Sequence, residues 1–234
     1  MGFDYSKLGF KCGIELHQEL DVGKLFCSCC SSMKEEGQIM EVSRKLRLVA
    51  GETGDVDPAV QYEFFRDRTF VYHGYQHEAC LVDIDAEPPH KINQDALEIA
   101  LKVAYILKMQ VPSIIRIMRK VVADGSAPSG FQRTSVVGLG VSCSKLETSK
   151  GPVGMMSMNL EEDSCKIEKR AGNKVYYSLS RLGIPLIELG TMPDIKDPEH
   201  AKEVALRIGR IFRSFPGVKR GIGTIRQDVN VSIG

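Results

Sequence analysis

Gly13-Ile14-Glu15-Leu16-His17-Gln18-Glu19-Leu20 is the stretch from which the fold is read. Apolar and polar side chains alternate from Ile14 to His17, the period of a strand with one face buried. Glu15 and His17 then share the other face, roughly 6–7 Å apart. An acid and an imidazole so placed suit a divalent cation; they equally suit the solvent face of an ordinary half-exposed strand. The choice depends on what the rest of the chain brings to that face.

The chain has 234 residues, 43% hydrophobic and 26% charged, which fits one large or two small globular domains. The net charge of +1 selects no partner, but its distribution is uneven. Lys202, Arg207, Arg210, Arg213, Lys219, Arg220 and Arg226 are interrupted by a single acid, Glu203. Such a run is either a solvated helix face or a surface for the phosphates of a nucleotide or RNA. No apolar run reaches the ~18 residues of a transmembrane helix, and Met1–Lys7 lacks the core of a signal peptide, so a cytoplasmic protein is expected. Seven cysteines, an odd number, then argue for thiols rather than disulfides.

Three of those thiols, Cys27, Cys29 and Cys30, fall within four residues. They are either free or part of a zinc site whose remaining donors would come from His73, His77 or Cys80. Residues 33–53 are charged and read as a mobile connection with a helix or strand, and 54–58 as a turn. Phe64–Tyr75 and Ala79–Ile84 read as antiparallel strands. Asn93 suits the N-cap of a helix with an apolar face through Ala96, Leu97, Ala100, Leu101, Ala104 and Leu107. Ile114–Val122 reads as a strand, and 123–134 as a loop whose amides, hydroxyls and Arg133 suit either phosphate oxygens or a plain connection.

Further strands are expected at Ser135–Val141 and Met155–Leu160, a hairpin turn between Leu146 and Gly154, and strands at Tyr176–Arg181 and Ile184–Leu189. Glu161, Glu162 and Asp163 are three consecutive carboxylates, which belong in water or on cations. Glu188 sits inside a nearly continuous apolar run, where a carboxylate must be paired, protonated or metal-bound. Asp197 and Pro198 open a second helix. The last strand puts Ile225, Val229, Val231 and Ile233 on one face and Arg226, Asp228, Asn230 and Ser232 on the other. Its abrupt stop at Gly234 suggests a truncated chain.

GIELHQELDVGKLFCSC, DGSAPSGFQRT, LEEDSCK, RLGIPLIELGTMPDI and IRQDVNVSI, in this order, resemble the GatB/GatE amidotransferase family, nearest its archaeal GatE branch. The resemblance runs from Leu8 to Ile233. It implies an α+β fold, a curved antiparallel sheet cradle similar to the catalytic domain of glutamine synthetase. Residues 1–234 would form this catalytic domain, with the family's insertion, helical and tail domains absent. It also implies a ligase activity: ATP phosphorylates the γ-carboxylate of Glu-tRNA(Gln), and ammonia from a separate asparaginase-like (D-type) amidase displaces the phosphate to give Gln-tRNA(Gln). The alternatives are a non-catalytic RNA-binding or assembly module and a small-molecule γ-glutamyl ligase.

By the same resemblance, Glu15, His17 and Glu188 are catalytic. With Glu161 or Glu162, and with Asp228, they hold Mg²⁺ around ATP. Ser126, Ser129, Gly130 and Arg133 face phosphate or substrate, and so do Arg181 and Arg226. Where GatB chains carry M-E-E-G-S-L-R, this one has Gly221-Ile-Gly-Thr-Ile-Arg226, two acids fewer. Cys27, Cys29 and Cys80 are the thiols available to zinc, without the second C-x-x-C of zinc-bearing relatives.

Overall fold

The computed structural model describes residues 4–47, 54–56 and 58–234. In chain order its elements are β1 (Lys11–Glu19), β2 (Gln38–Lys45), α1 (Pro58–Phe65), β3 (Thr69–Tyr75), α2 (Gln94–Ile106), β4 (Met118–Val121) and β5 (Phe131–Leu139). These continue with β6 (Lys145–Leu146), β7 (Val153–Glu162), β8 (Lys166–Ala171), β9 (Lys174–Ser178), β10 (Pro185–Thr191), α3 (Pro198–Arg213) and β11 (Ile225–Ser232).

The larger sheet runs β11-β1-β10-β7-β5-β4, with β6 paired to β7, and every pairing in it is antiparallel. Strand alternation sorts its residues. Cys12, Ile14 and Leu16 of β1, Ile187 and Leu189 of β10, and Met158 and Leu160 of β7 are buried in one core with α2 and α3. That core also takes Ala96, Ala100, Val103 and Ala104 from α2 and Val204, Ile208 and Phe212 from α3. Burying large apolar side chains of this kind contributes roughly 1.5–3 kcal/mol each. The opposite face carries Glu15, His17, Asn159, Glu161 and Glu188. The pleat and the helices thus leave one polar face uncovered.

Both caps form as expected. The Asn93 side chain accepts from the Ala96 amide at 3.1 Å, and Asp197 accepts from the His200 amide at 2.8 Å, with Pro198 opening α3. The smaller sheet, β2-β3-β9-β8, has its own core of Phe70, Tyr72, Val175, Tyr177 and Leu179. Its central pair, β3 and β9, is parallel.

Several expectations are corrected. Phe64 and Phe65 end helix α1 instead of opening a strand, and Ala79–Ile84 forms turns. In those turns Ala79, Val82 and Ile84 are buried because the turns plug the gap beside the smaller sheet, not because they pair. The expected strand at Ile114–Val122 shortens to Met118–Val121. Strand β8 has no counterpart among the expected elements, because all six of its residues are exposed and leave no alternation to read. β2 supplies the strand in the charged connection, whose residues 48–53 lie outside those described. Among the described residues no helix is long and apolar enough to cross a membrane.

Candidate active site

Register brings the acids together. β1 pairs with β10 so that His17 faces Glu188, and with β11 so that Glu15 faces Asp228 and His17 faces Arg226. β10 pairs with β7 so that Glu188 faces Asn159 and Leu186 faces Glu161. Ligand atoms of His17, Glu161 and Glu188 lie within 4.8 Å of one another, and so do those of Glu15, His17 and Asp228. Four distant segments therefore meet at His17, which belongs to both groups.

The His17 Nε2 atom lies 3.2 Å from the Glu188 Oε2 atom, and the Asn159 side-chain amide donates to Glu188 Oε1 at 2.8 Å. The bond from His17 holds the Glu188 carboxyl down at about 2 and raises the imidazole in turn. Glu161 is different. Burial, then the negative charge of Glu188, pushes it up to about 7. Gln132 donates to its Oε1 at 2.9 Å, while its Oε2 is buried without a hydrogen-bond partner. A buried carboxylate oxygen without a partner is expensive unless a cation or proton completes it. The donor set, mostly oxygen, suits Mg²⁺.

Two groups beside the acids are invisible to sequence reasoning. Lys120, on edge strand β4, reaches within 3.6 Å of Glu188 Oε2. Asn159 fixes the same carboxylate. Neither carries a motif; their only signal is alternation within strands whose partners cannot be read from one sequence. Arg226 is on the open face, as expected, but it is restrained: Asp163 accepts from it at 2.8 Å and Glu19 lies 3.9 Å away. Glu19 and Asp163 are themselves buried beside each other, and burial, then the charge of Asp163, raises Glu19 to about 7.

Glu162 is corrected. Consecutive strand residues point to opposite faces, so only one of Glu161 and Glu162 can join the cluster. Glu162 points away from it and is bound by the Arg133 guanidinium at 3.2 Å. All three acids expected in water or on cations, Glu161, Glu162 and Asp163, are buried. Arg133 shares the Glu162 face and is 8% exposed, so it is not a free phosphate ligand on the acidic face. It lines a separate cavity of about 170 Å³ with Ser126, Ser129, Gln132, Glu162 and Ser164. Within the loop, the Ser129 hydroxyl donates to the Phe131 carbonyl and is committed locally, while the backbone amide of Ser126 donates to Asp124; Gly130 supplies the turn at φ +80°. Arg181 donates to the carbonyls of Ser164 and Cys165, each at 2.8 Å, and clips the bend after β7. Of the basic run, Lys219 donates to the Ser31 carbonyl and Arg207 pairs with Glu203, which breaks up a continuous cationic surface.

The thiols divide as well. Cys27, Cys29 and Cys80 meet, with Asp83 as a fourth neighbour, while Cys30 turns to Ser32. His73 is instead held by Glu168 at 2.7 Å and Glu41 at 3.4 Å on the smaller sheet.

The model of the GatB/GatE catalytic domain family matches residues 10–234. Among curated proteins, the E subunit of the glutamyl-tRNA(Gln) amidotransferase of Archaeoglobus fulgidus is 51% identical over 233 residues, 98% of this chain. Its counterpart in Methanocaldococcus jannaschii is 48% identical over 235 residues and that in Haloarcula marismortui 47% over 233, covering 100% and 99% of the chain. In each case the match spans 37% of the relative's own length.

Proposed function

The chain belongs to the GatB/GatE catalytic domain family, and from that membership and the acidic face of its larger sheet we propose that it forms the phosphorylating centre of an ATP-dependent amidotransferase acting on glutamate carried by tRNA(Gln). In the first half-reaction a γ-carboxylate oxygen of the glutamyl ester bonds to the γ-phosphorus of ATP as the bond to the β,γ-bridging oxygen breaks, releasing ADP. In the second, ammonia adds to the activated carbonyl, phosphate leaves, and the nitrogen gives up a proton. The ammonia is assigned to a D-type amidase partner, and the fold to the cradle type shared with glutamine synthetase.

The observation that carries this function is the meeting of ligand atoms of His17, Glu161 and Glu188 within 4.8 Å of one another, with one Glu161 oxygen buried and without a hydrogen-bond partner. Phosphoryl transfer asks a protein for alignment and charge neutralisation rather than for a nucleophile. A bound Mg²⁺ supplies charge neutralisation on the phosphate oxygens. Glu15, His17, Glu161, Glu188 and Asp228 are the side chains that would hold it, and Asn159 and Gln132 keep two of those carboxylates oriented. Lys120 and Arg226, from strands at opposite ends of the sheet order, supply fixed positive charge on either side of the acids.

Calorimetric titration with ATP and Mg²⁺ tests this. Binding that requires the metal, and that weakens at least about tenfold in Glu188→Ala, is expected. Nucleotide binding indifferent to metal and to Glu188 would overturn it. Amidation of Glu-tRNA(Gln) rather than free glutamate, in the presence of the amidase, separates it from a small-molecule γ-glutamyl ligase.

A further inference from the structure

Strand β7, which carries Asn159 and Glu161, leads directly into the hairpin of β8 and β9 through residues 163–165. All six residues of β8 are exposed, as are Gly172, Asn173 and Lys174 at the tip. Residues 166–174 hold four cations, Lys166, Lys169, Arg170 and Lys174, and one acid, Glu168.

The fold makes that imbalance larger. The pairing of β8 with β9 shifts register between Ile167 and Lys169, which puts Glu168 in a bulge. A bulge re-aims the side chain it carries. Glu168 reaches to β3, where it lies 2.7 Å from His73 Nδ1 and accepts from the Tyr75 hydroxyl at 2.8 Å. Lys166 is tied to Glu35 at 3.0 Å. Lys169, Arg170 and Lys174 keep no carboxylate partner among the described residues. The Asn173 side chain donates to the Asp67 carbonyl, so the tip lies against the turn before β3. That turn adds Arg66 and Arg68, which share one acid, Glu63, while Asp67 is already paired with Lys45.

The spacing of these charges suits a polyanion. Lys169 pairs with Tyr176 and Ala171 with Lys174, so Lys169 and Lys174 share a face as diagonal neighbours, about 7–8 Å apart. The Lys169 ammonium lies 4.5 Å from the centre of the Tyr176 ring, which steadies it over an aromatic surface. Cations at this separation beside a ring can take neighbouring phosphates of one polynucleotide strand.

We propose that the tip of the β8–β9 hairpin, through Lys169, Arg170 and Lys174, is a phosphate-backbone contact for the RNA that carries the glutamyl ester. The proposal rests on the phosphoryl-transfer reading, which places the substrate on RNA. At ~3.3 Å per residue β8 spans about 20 Å, so the contact falls on the body of the RNA and not on the end that meets the acids. Such contacts set orientation and read no base.

The test is the binding of an uncharged tRNA(Gln) transcript to the chain, followed by anisotropy between about 50 and 200 mM KCl. Replacing Lys169, Arg170 and Lys174 together by Ala should weaken binding at least about tenfold and lower the slope of log K against log salt by about 2–3. Lys169→Arg with Lys174→Arg should retain both affinity and slope. Removing three exposed cations elsewhere, in Lys91→Ala, Lys108→Ala and Lys145→Ala, should leave the slope unchanged. The triple hairpin variant should still bind ATP with Mg²⁺ as the native chain does, because none of the three touches the acidic cluster. A native chain that does not bind the transcript at the lowest salt, or a triple hairpin variant with native affinity and slope, would overturn the contact; a loss confined to binding of phosphatidylglycerol vesicles would overturn it too. Metal-dependent nucleotide binding, titrated separately, reports on the phosphoryl-transfer reading, so failure of one is told from failure of the other.

Discussion

Glu161 and Glu188 share a cluster and titrate in opposite senses. Between pH 4.5 and about 7 the unfolded chain has released the Glu161 proton while the folded chain keeps it. Stability therefore falls as pH rises through that window. Glu188, held down to about 2, stabilises the fold above its ordinary value of 4.5, and that contribution is lost as pH falls toward 2. Replacing Glu161 with Gln should abolish the first effect: urea midpoints of the native chain should drop between about pH 4.5 and about pH 8 relative to those of the variant. Metal binding has the reverse dependence, because it requires the Glu161 proton to leave. Mg²⁺ affinity in the native chain should rise about tenfold per pH unit up to about pH 7 and then level, and Glu161→Gln should flatten that slope. At this scale much is legible in the sequence. Alternation places Glu15 and His17 on one face, and the apolar run around Glu188 marks a carboxylate that needs a partner. Alternation cannot choose between Glu161 and Glu162, since that choice depends on the phase of β7 against β10.

At the scale of elements, the loop between β4 and β5 is defined by what it packs on. Gly125 has φ +83°, and a Cβ there would sit 2.4 Å from the Phe70 ring of the smaller sheet. Tyr72 and Tyr177 donate from that sheet to the carbonyls of Gly125 and Asp124 at 2.7 and 2.9 Å. Gly130 has φ +80° with nothing within 4 Å of its Cβ position. Gly130→Ala should thus cost only backbone strain, about 1–2 kcal/mol. Gly125→Ala adds overpacking of about 1–3 kcal/mol to the same strain, a difference that chemical denaturation resolves. The glycines and serines of this loop suit a phosphate cradle or a plain connection equally well. Composition alone cannot separate those from a sheet-to-sheet contact, because the surface the loop meets lies about 50 residues away in the chain, at Phe70, Tyr72 and Tyr177. The caps at Asn93 and Asp197, by contrast, are legible because a cap and its amide lie three residues apart.

For the whole molecule, strand order is what no local pattern carries. β1, the first strand, lies between β10 and β11, the last two, so the acidic face exists only once the chain has closed on itself. The phosphoryl-transfer centre and global stability are consequently coupled. A ligand that spans Glu15, Glu161, Glu188 and Asp228 ties together β1, β7, β10 and β11, and unfolding any of them releases it. Mass action then fixes the size of the effect: a ligand at about 100 times its Kd stabilises by about 2.7 kcal/mol. For a chain of 234 residues, in which each kcal/mol moves the midpoint by about 2–4 °C, Tm should rise by about 5–10 °C. That rise should need ATP and Mg²⁺ together, disappear with EDTA, and be absent in Glu188→Ala. It should persist in Cys30→Ser, whose thiol turns to Ser32 away from the acidic cluster. A shift of equal size with Mg²⁺-free ATP would mean that the nucleotide sits elsewhere, because the acids alone repel its phosphates and only a bridging cation turns that repulsion into binding.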